Sequence, residues 1–236
     1  MKGQVLVAPR AISSLVLTAV SLVLGAPAHA STISILTDGG FEAAANQSLQ
    51  LTWTASDYGS WGVGDGFSTV TGAGSIAPLG GSKMLAFDST DGLSSDVYQI
   101  VDISGYAAQI DAGLVSATFS IFYNATSSPS GGFGLRIIGW ASAPTDFSGV
   151  TALGGVVSGL AIDSDASTWE QFAFSNVLVP TGTRFVALGL HEPTGAPIGY
   201  ADNATLSLNI VPEPATVLLV AAGLAAVRGR RRLGRA

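Results

Sequence analysis

The chain has 236 residues, of which only 11% are charged, contains no cysteine and carries a net charge of −6. Without cysteine there is neither a disulfide framework nor a thiolate metal site. Seven of the ten basic residues lie at the two ends, leaving Lys83, Arg136 and Arg184 against every acidic residue except Glu213; phosphate binding needs clustered Lys and Arg, so nucleic acid is excluded as a partner of the body.

The first segment reads as an export signal. Lys2 and Arg10 form a basic region, AISSLVLTAVSLVL is an apolar stretch of 14 residues, and GAPAHA ends in Ala28-His29-Ala30. Small residues at Ala28 and Ala30 suit signal peptidase, which is expected to cut before Ser31. The apolar run is short of the roughly 20 residues that a membrane span requires. A signal helix over 1–30 is therefore expected, followed by a body over 31–210 and a C-terminal segment over 211–236.

In the body, short apolar runs alternate with Gly, Ser, Asp and Pro clusters, and no stretch keeps a helical period for three turns. KMLAFD, DVYQIVDI, LVSATFSIFYN, FGLRIIGW, WEQFAFSNVLV, RFVALGLHE and ATLSLNI read as strands. In the third, Val115, Ala117, Phe119, Ile121 and Tyr123 share one parity and Ser116, Thr118 and Ser120 the other, so one face is buried and one wet. The pattern predicts an all-β fold, an antiparallel β-sandwich of the jelly-roll kind. No repeat of fixed period supports a propeller or solenoid.

Catalytic signatures are sparse. His191 is the single histidine left after signal removal, so a multi-histidine zinc site is impossible, and no G-x-S-x-G elbow accompanies it. Glu42, Glu170 and Glu192 are the glutamates a glycosidase would draw on, but isolated carboxylates read more simply as surface residues. DSDAST begins like a calcium loop, yet Thr168 stands where the turn glycine belongs. Trp53, Tyr58 and Trp61 sit in a polar, glycine-rich stretch where exposed aromatics would stack on sugar rings; the alternative has Trp53 in the core and the other two capping a sheet edge. The body is thus expected to be non-catalytic and either to bind polysaccharide or to serve as a purely structural matrix protein. A glycan-active hydrolase ranks third.

The chain closes on VPEPATVLLVAAGLAAVRGRRRLGRA. Pro212-Glu213-Pro214 forms an extended joint, because two prolines continue neither a strand nor a helix interior. From 215 to 227 a helix would measure about 20 Å against a hydrocarbon core of about 30 Å, making a short transmembrane helix. Arg228, Arg230, Arg231, Arg232 and Arg235 would hold its end on the cytoplasmic side. This order of Pro-Glu-Pro, short apolar helix and terminal arginines resembles the PEP-CTERM sorting signal of Gram-negative bacteria. The resemblance implies an inner-membrane intermediate, cleavage near the motif by an exosortase-type transpeptidase, and delivery to the cell surface or an extracellular exopolysaccharide matrix such as that of a biofilm.

The body has a second resemblance. LTDGGFEAA, WTASDYGSW, GGSKMLAFD, STWEQFAFSNVLVPTGT and IGYADNATLSL, in that order, are similar to signatures of carbohydrate-binding or galactose-binding-like jelly rolls. In those folds an opening Phe-Glu and a closing Asp often share a calcium, which implies a structural Ca2+ on Glu42 and Asp202. Asp202 has the parity of Ala204, Leu206, Leu208 and Ile210, so a regular strand would aim it inward, where a charge requires a partner. A bulge turning it outward is the alternative.

Overall fold

The computed structural model describes residues 30–43, 47–48, 54–63, 66–87, 94–126, 132–146, 151–163, 165–193 and 198–212. The expected signal helix except Ala30, the short C-terminal helix, Trp53, Glu213, Pro214 and the five C-terminal arginines lie outside these residues. Among the described residues no helix is long and apolar enough to cross a membrane. Residues Ala30–Pro212 form one compact unit.

Alternating side chains produce the strands. The strands are β1 (Ser31–Ser34), β2 (Gln47–Ser48), β3 (Trp61–Val63), β4 (Gly66–Val70), β5 (Met84–Phe87), β6 (Ser95–Asp102), β7 (Val115–Ala125), β8 (Phe133–Trp140), β9 (Gly154–Leu160), β10 (Glu170–Leu178), β11 (Phe185–Glu192) and β12 (Gly199–Ile210). A helical turn (Ser104–Tyr106) and the short α1 (Ala107–Asp111) join β6 to β7. All seven strands read from the sequence are present. One sheet runs β10-β7-β12-β5-β4-β2, with β1 alongside the end of β12, and the other runs β3-β6-β11-β8-β9. Every pairing is antiparallel.

The core fills the space between the sheets. Val115, Ala117, Phe119, Ile121 and Tyr123 on β7 face Leu135 on β8 and Val186, Leu188 and Leu190 on β11 in one buried cluster. Each such large apolar side chain contributes about 1.5–3 kcal/mol on burial. The Tyr123 hydroxyl crosses between the sheets and donates to the Gly134 carbonyl at 2.5 Å; burial pushes its pKa well above the ordinary phenol value. Among the described residues, the buried members of every core cluster lie between Phe41 and Ile210, so the unit has its own hydrophobic core, as an independently folding domain does.

β12 defines two poles. It begins at Gly199, where a side chain would strike Phe133, and ends at Ile210, which pairs with Ser31. At about 3.4 Å per residue these poles are roughly 40 Å apart.

Candidate functional site

The site lies on the outer face of the five-stranded sheet, near the Gly199 pole. Because neighbouring residues alternate across a strand, burying Val97, Leu190 and Leu135 in the core turns Asp96, His191 and Gly134 outward. Register aligns Asp96, His191, Gly134 and Gly159 in one row across β6, β11, β8 and β9. The adjoining row is Tyr98, Gly189, Arg136 and Val157. A Cβ at Gly189 would stand 2.6 Å from Tyr98 Cε1 and 2.7 Å from Arg136 Cγ. The missing side chain therefore lets the Arg136 guanidinium lie over the Tyr98 ring, 4.7 Å from its centroid.

One Asp96 oxygen, Oδ1, accepts from both Arg136 Nη2 and His191 Nδ1, the latter at 2.8 Å. Burial by itself would raise the Asp96 pKa, but the His191 hydrogen bond and the Arg136 charge outweigh it and hold the carboxyl below its ordinary value. Among the described residues, no hydrogen bond occupies Asp96 Oδ2, His191 Nε2 or Arg136 Nη1, and Arg136 Nε is buried without a partner. The three residues line a hollow of about 340 Å3 together with Gly132, Gly134 and Val157. The hollow holds one acid and one guanidinium, so their formal charges cancel. It offers fixed donors and acceptors over a floor of glycine backbone. Such an arrangement can recognise adjacent hydroxyl groups on a neutral ligand.

The expected aromatic platform is not built. Trp61 faces the core, because its register partner on β6 is the buried Gln99, while Gly62 pairs with Tyr98 of the outer face. Its ring packs 4.9 Å from Phe41, its Nε1 donates to the Asp38 carbonyl at 2.8 Å, and 4% of the residue is exposed. This corrects the reading of Trp61 as a stacking surface. Tyr58 is half-buried against Phe185, with its hydroxyl on the Pro144 carbonyl at 2.8 Å. It helps to close the far end of the outer face over Trp140 and Ile100. Burial, followed by the nearby Asp102 and Asp57 charges, raises its pKa.

Glu42 and Asp202 flank a single loop. Glu42 Oε1 accepts the Ser82 and Lys83 N–H groups at 2.7 and 2.9 Å, and Oε2 accepts the Ser82 hydroxyl. Asp202 Oδ2 accepts the Leu79 and Gly80 N–H groups at 2.8 and 3.1 Å, while Oδ1 accepts from Asn203. Gly81, at φ +63°, has no room for a side chain beside Glu42. The parity argument for Asp202 fails for a specific reason: a bulge between Asp202 and Thr205 shifts the register and aligns Asp202 with Phe122 on the outer face. There the 79–80 loop buries it completely, and backbone amides serve as the partners its charge requires. Burial raises its pKa most, and the Glu42 charge adds to the rise.

A calcium ion takes an all-oxygen donor set, and the Asn203 side-chain oxygen lies beside the same glycines, within 3.0 Å of the position a Gly80 Cβ would take. Each carboxylate oxygen of Glu42 and Asp202 already accepts at least one N–H or O–H donor. Among the described residues, no group of three or more His, Cys, Asp or Glu side chains converges for a metal.

The remaining candidates separate. Glu192 accepts the Gly199 N–H on the inner side of β11, and Glu170 accepts the Thr168 hydroxyl. Asp163 and Asp165 bond to the amides and hydroxyls of their own turn. His191, for which the sequence offers no catalytic partner, belongs to the hollow. Nothing local in the sequence marks Asp96 as a site residue; for Arg136 the signal is an arginine at an outward position of a strand in a body with three basic residues.

At the opposite pole Val211 donates its N–H to the Leu114 carbonyl at 2.9 Å, and Pro212 follows directly. Residues 211–232 match the PEP-CTERM protein-sorting motif. That motif implies processing by an exosortase and membrane-associated sorting toward the cell surface. No curated protein matches the sequence significantly. Among solved structures, the Stig cyclase Fisc from Fischerella sp. TAU superposes with a TM-score of 0.52 at 12% identity, covering 77% of this chain and 100% of the cyclase. Tailspike protein 4 of bacteriophage CBA120 gives 0.45 at 12% identity over 75% of this chain, which spans 21% of the tailspike domain's length. The module TmCBM61, solved with β-1,4-galactotriose, gives 0.40 at 15% identity, covering 73% and 97% of the two chains. At these identities the cyclase likeness is one of fold.

Proposed function

We propose that the chain is an exported, non-catalytic protein of the cell surface or exopolysaccharide matrix, and that its jelly-roll-like body binds a neutral polysaccharide in the Asp96–Arg136–His191 hollow. The sorting motif supports the destination. One observation carries the binding: Asp96 Oδ1 holds both Arg136 and His191, and all three residues line a hollow of about 340 Å3. Donors and acceptors already fixed by an ion pair lose little conformational freedom when a hydroxylated ligand arrives.

Screening residues 30–212 on a glycan array tests the reading, with Arg136→Ala and His191→Ala as controls. Binding to neutral glycans that both variants lose supports it. No binding, or binding indifferent to both substitutions, refutes it and leaves the purely structural matrix protein. That second reading is favoured by the burial of Trp61, which removes an exposed aromatic from the sugar-binding inventory. The proposal also places a structural calcium between Glu42 and Asp202, supported by two like charges held on one loop.

A further inference from the structure

β9 is the outer strand of the five-stranded sheet, and among the described residues it has none of the features that blunt an open edge. A free edge exposes unpaired N–H and C=O groups, so proteins shorten it, bulge it, or place charge and proline on it. β2 and β3 are short, with two and three residues. β10 is broken by a bulge between Phe174 and Val177, and Asn176 there adopts φ 56°. β9, by contrast, runs seven residues as GGVVSGL in unbroken register with β8, without proline. No charged residue occurs from 147 to 162, in a body where carboxylates far outnumber Lys and Arg.

The same flank gathers exposed apolar side chains. Val157 is 72% exposed, Leu153 at the approach to β9 is 43% exposed, and Leu178 at the end of β10 is 65% exposed. Gly154 lies against Pro180, two residues beyond Leu178, so the edges of the two sheets meet along this side.

We infer that β9 is a self-association edge, through which two copies of the chain pair antiparallel with Val157 opposite the partner's Val157. A second copy fits because the strand is complementary to itself. Antiparallel pairing centred on Val157 sets Gly155 against Gly159 and Val156 against Ser158, with neither a clash of bulky side chains nor a meeting of like charges. Elsewhere on so acidic a body, two copies would repel. The pair covers the exposed valine and continues the sheet across the two-fold axis. That axis stands perpendicular to the sheet, so both outer faces look the same way and the two hollows, each bordered by Val157, lie on one surface. A linear polymer engaging both would be held far more tightly than by one hollow. The pairing itself depends on no ligand.

Sedimentation equilibrium of residues 30–212 tests the inference. The unmodified protein is expected to show a concentration-dependent dimer. Val157→Lys and Val157→Glu should each be monomeric, since like charges then face each other across the axis. Their equimolar mixture should restore the dimer. Near-UV circular dichroism checks that both variants stay folded, as expected at so exposed a position. A protein that remains monomeric up to about 1 mM overturns the inference. So do a dimer that survives both substitutions and a mixture that stays monomeric.

Discussion

Ser31 pairs with Ile210, so the first and last strand residues of the body lie side by side at one pole. The Val211 N–H is held by Leu114, and the sorting motif begins at that same residue. The chain thus enters and leaves the sandwich at one end, while the hollow opens near the other.

Double processing is the first expectation. The surface or released form should begin at Ser31 and end near Pro212-Glu213-Pro214, as read by intact mass spectrometry. Replacing Arg230, Arg231 and Arg232 together with Ala should impair sorting, because these charges orient the tail. A released form that keeps Val217 to Arg235 would refute the scheme.

Trp61 is a core residue, and its truncation is costly. Trp61→Ala removes the contact with Phe41 and the hydrogen bond to Asp38. Burial at this level predicts a loss of about 3–5 kcal/mol in chemical denaturation. A change within a few tenths would mean that the ring is not packed as described.

Asp96 predicts a pH signature. Its folded-state pKa is lowered, so its contribution is present above the ordinary carboxylate value and is lost as pH falls through the lowered one. Asp96→Asn should cost about 1–3 kcal/mol at pH 7 by leaving Arg136 unpaired. That difference should shrink below about pH 4, where the native carboxyl also becomes protonated. A gap between variant and native protein that stays constant from pH 7 to pH 3 would exclude the ion pair as its source.

Asp202 has the opposite sign. Its raised pKa means that the folded state binds the proton more readily, so stability from this group is present below the unfolded value and is lost as pH rises through the folded one. A cation would offset that neutral-pH penalty. Calcium added to chelator-treated protein should raise the melting temperature, and Glu42→Gln or Asp202→Asn should each abolish the rise. No calcium response in the unmutated body rejects the ion and leaves the backbone amides as sufficient partners.

Much of the fold was legible because alternation is local. β7 buries Val115, Ala117, Phe119, Ile121 and Tyr123 as their parity requires, and the Pro-Glu-Pro tail is recognisable without any tertiary information. The site was not legible in the same way. Asp96, Arg136 and His191 come from three strands, and only register brings them together.

By itself the sequence determined seven of the twelve described strands, the face periodicity within each regular one, and the sorting tail, since all three are carried by residues adjacent in the chain. Tertiary structure decided which face a position occupies wherever periodicity breaks or a strand is too short to show it. Trp61 went inward because β3 pairs with β6 in a register that sets it opposite Gln99. Asp202 changed faces because one bulge outweighs any count of parity from Ile210, and its burial came from a loop more than a hundred residues away in sequence. Pairing register and loop cover are non-local, fixed by packing between segments that the linear order keeps apart.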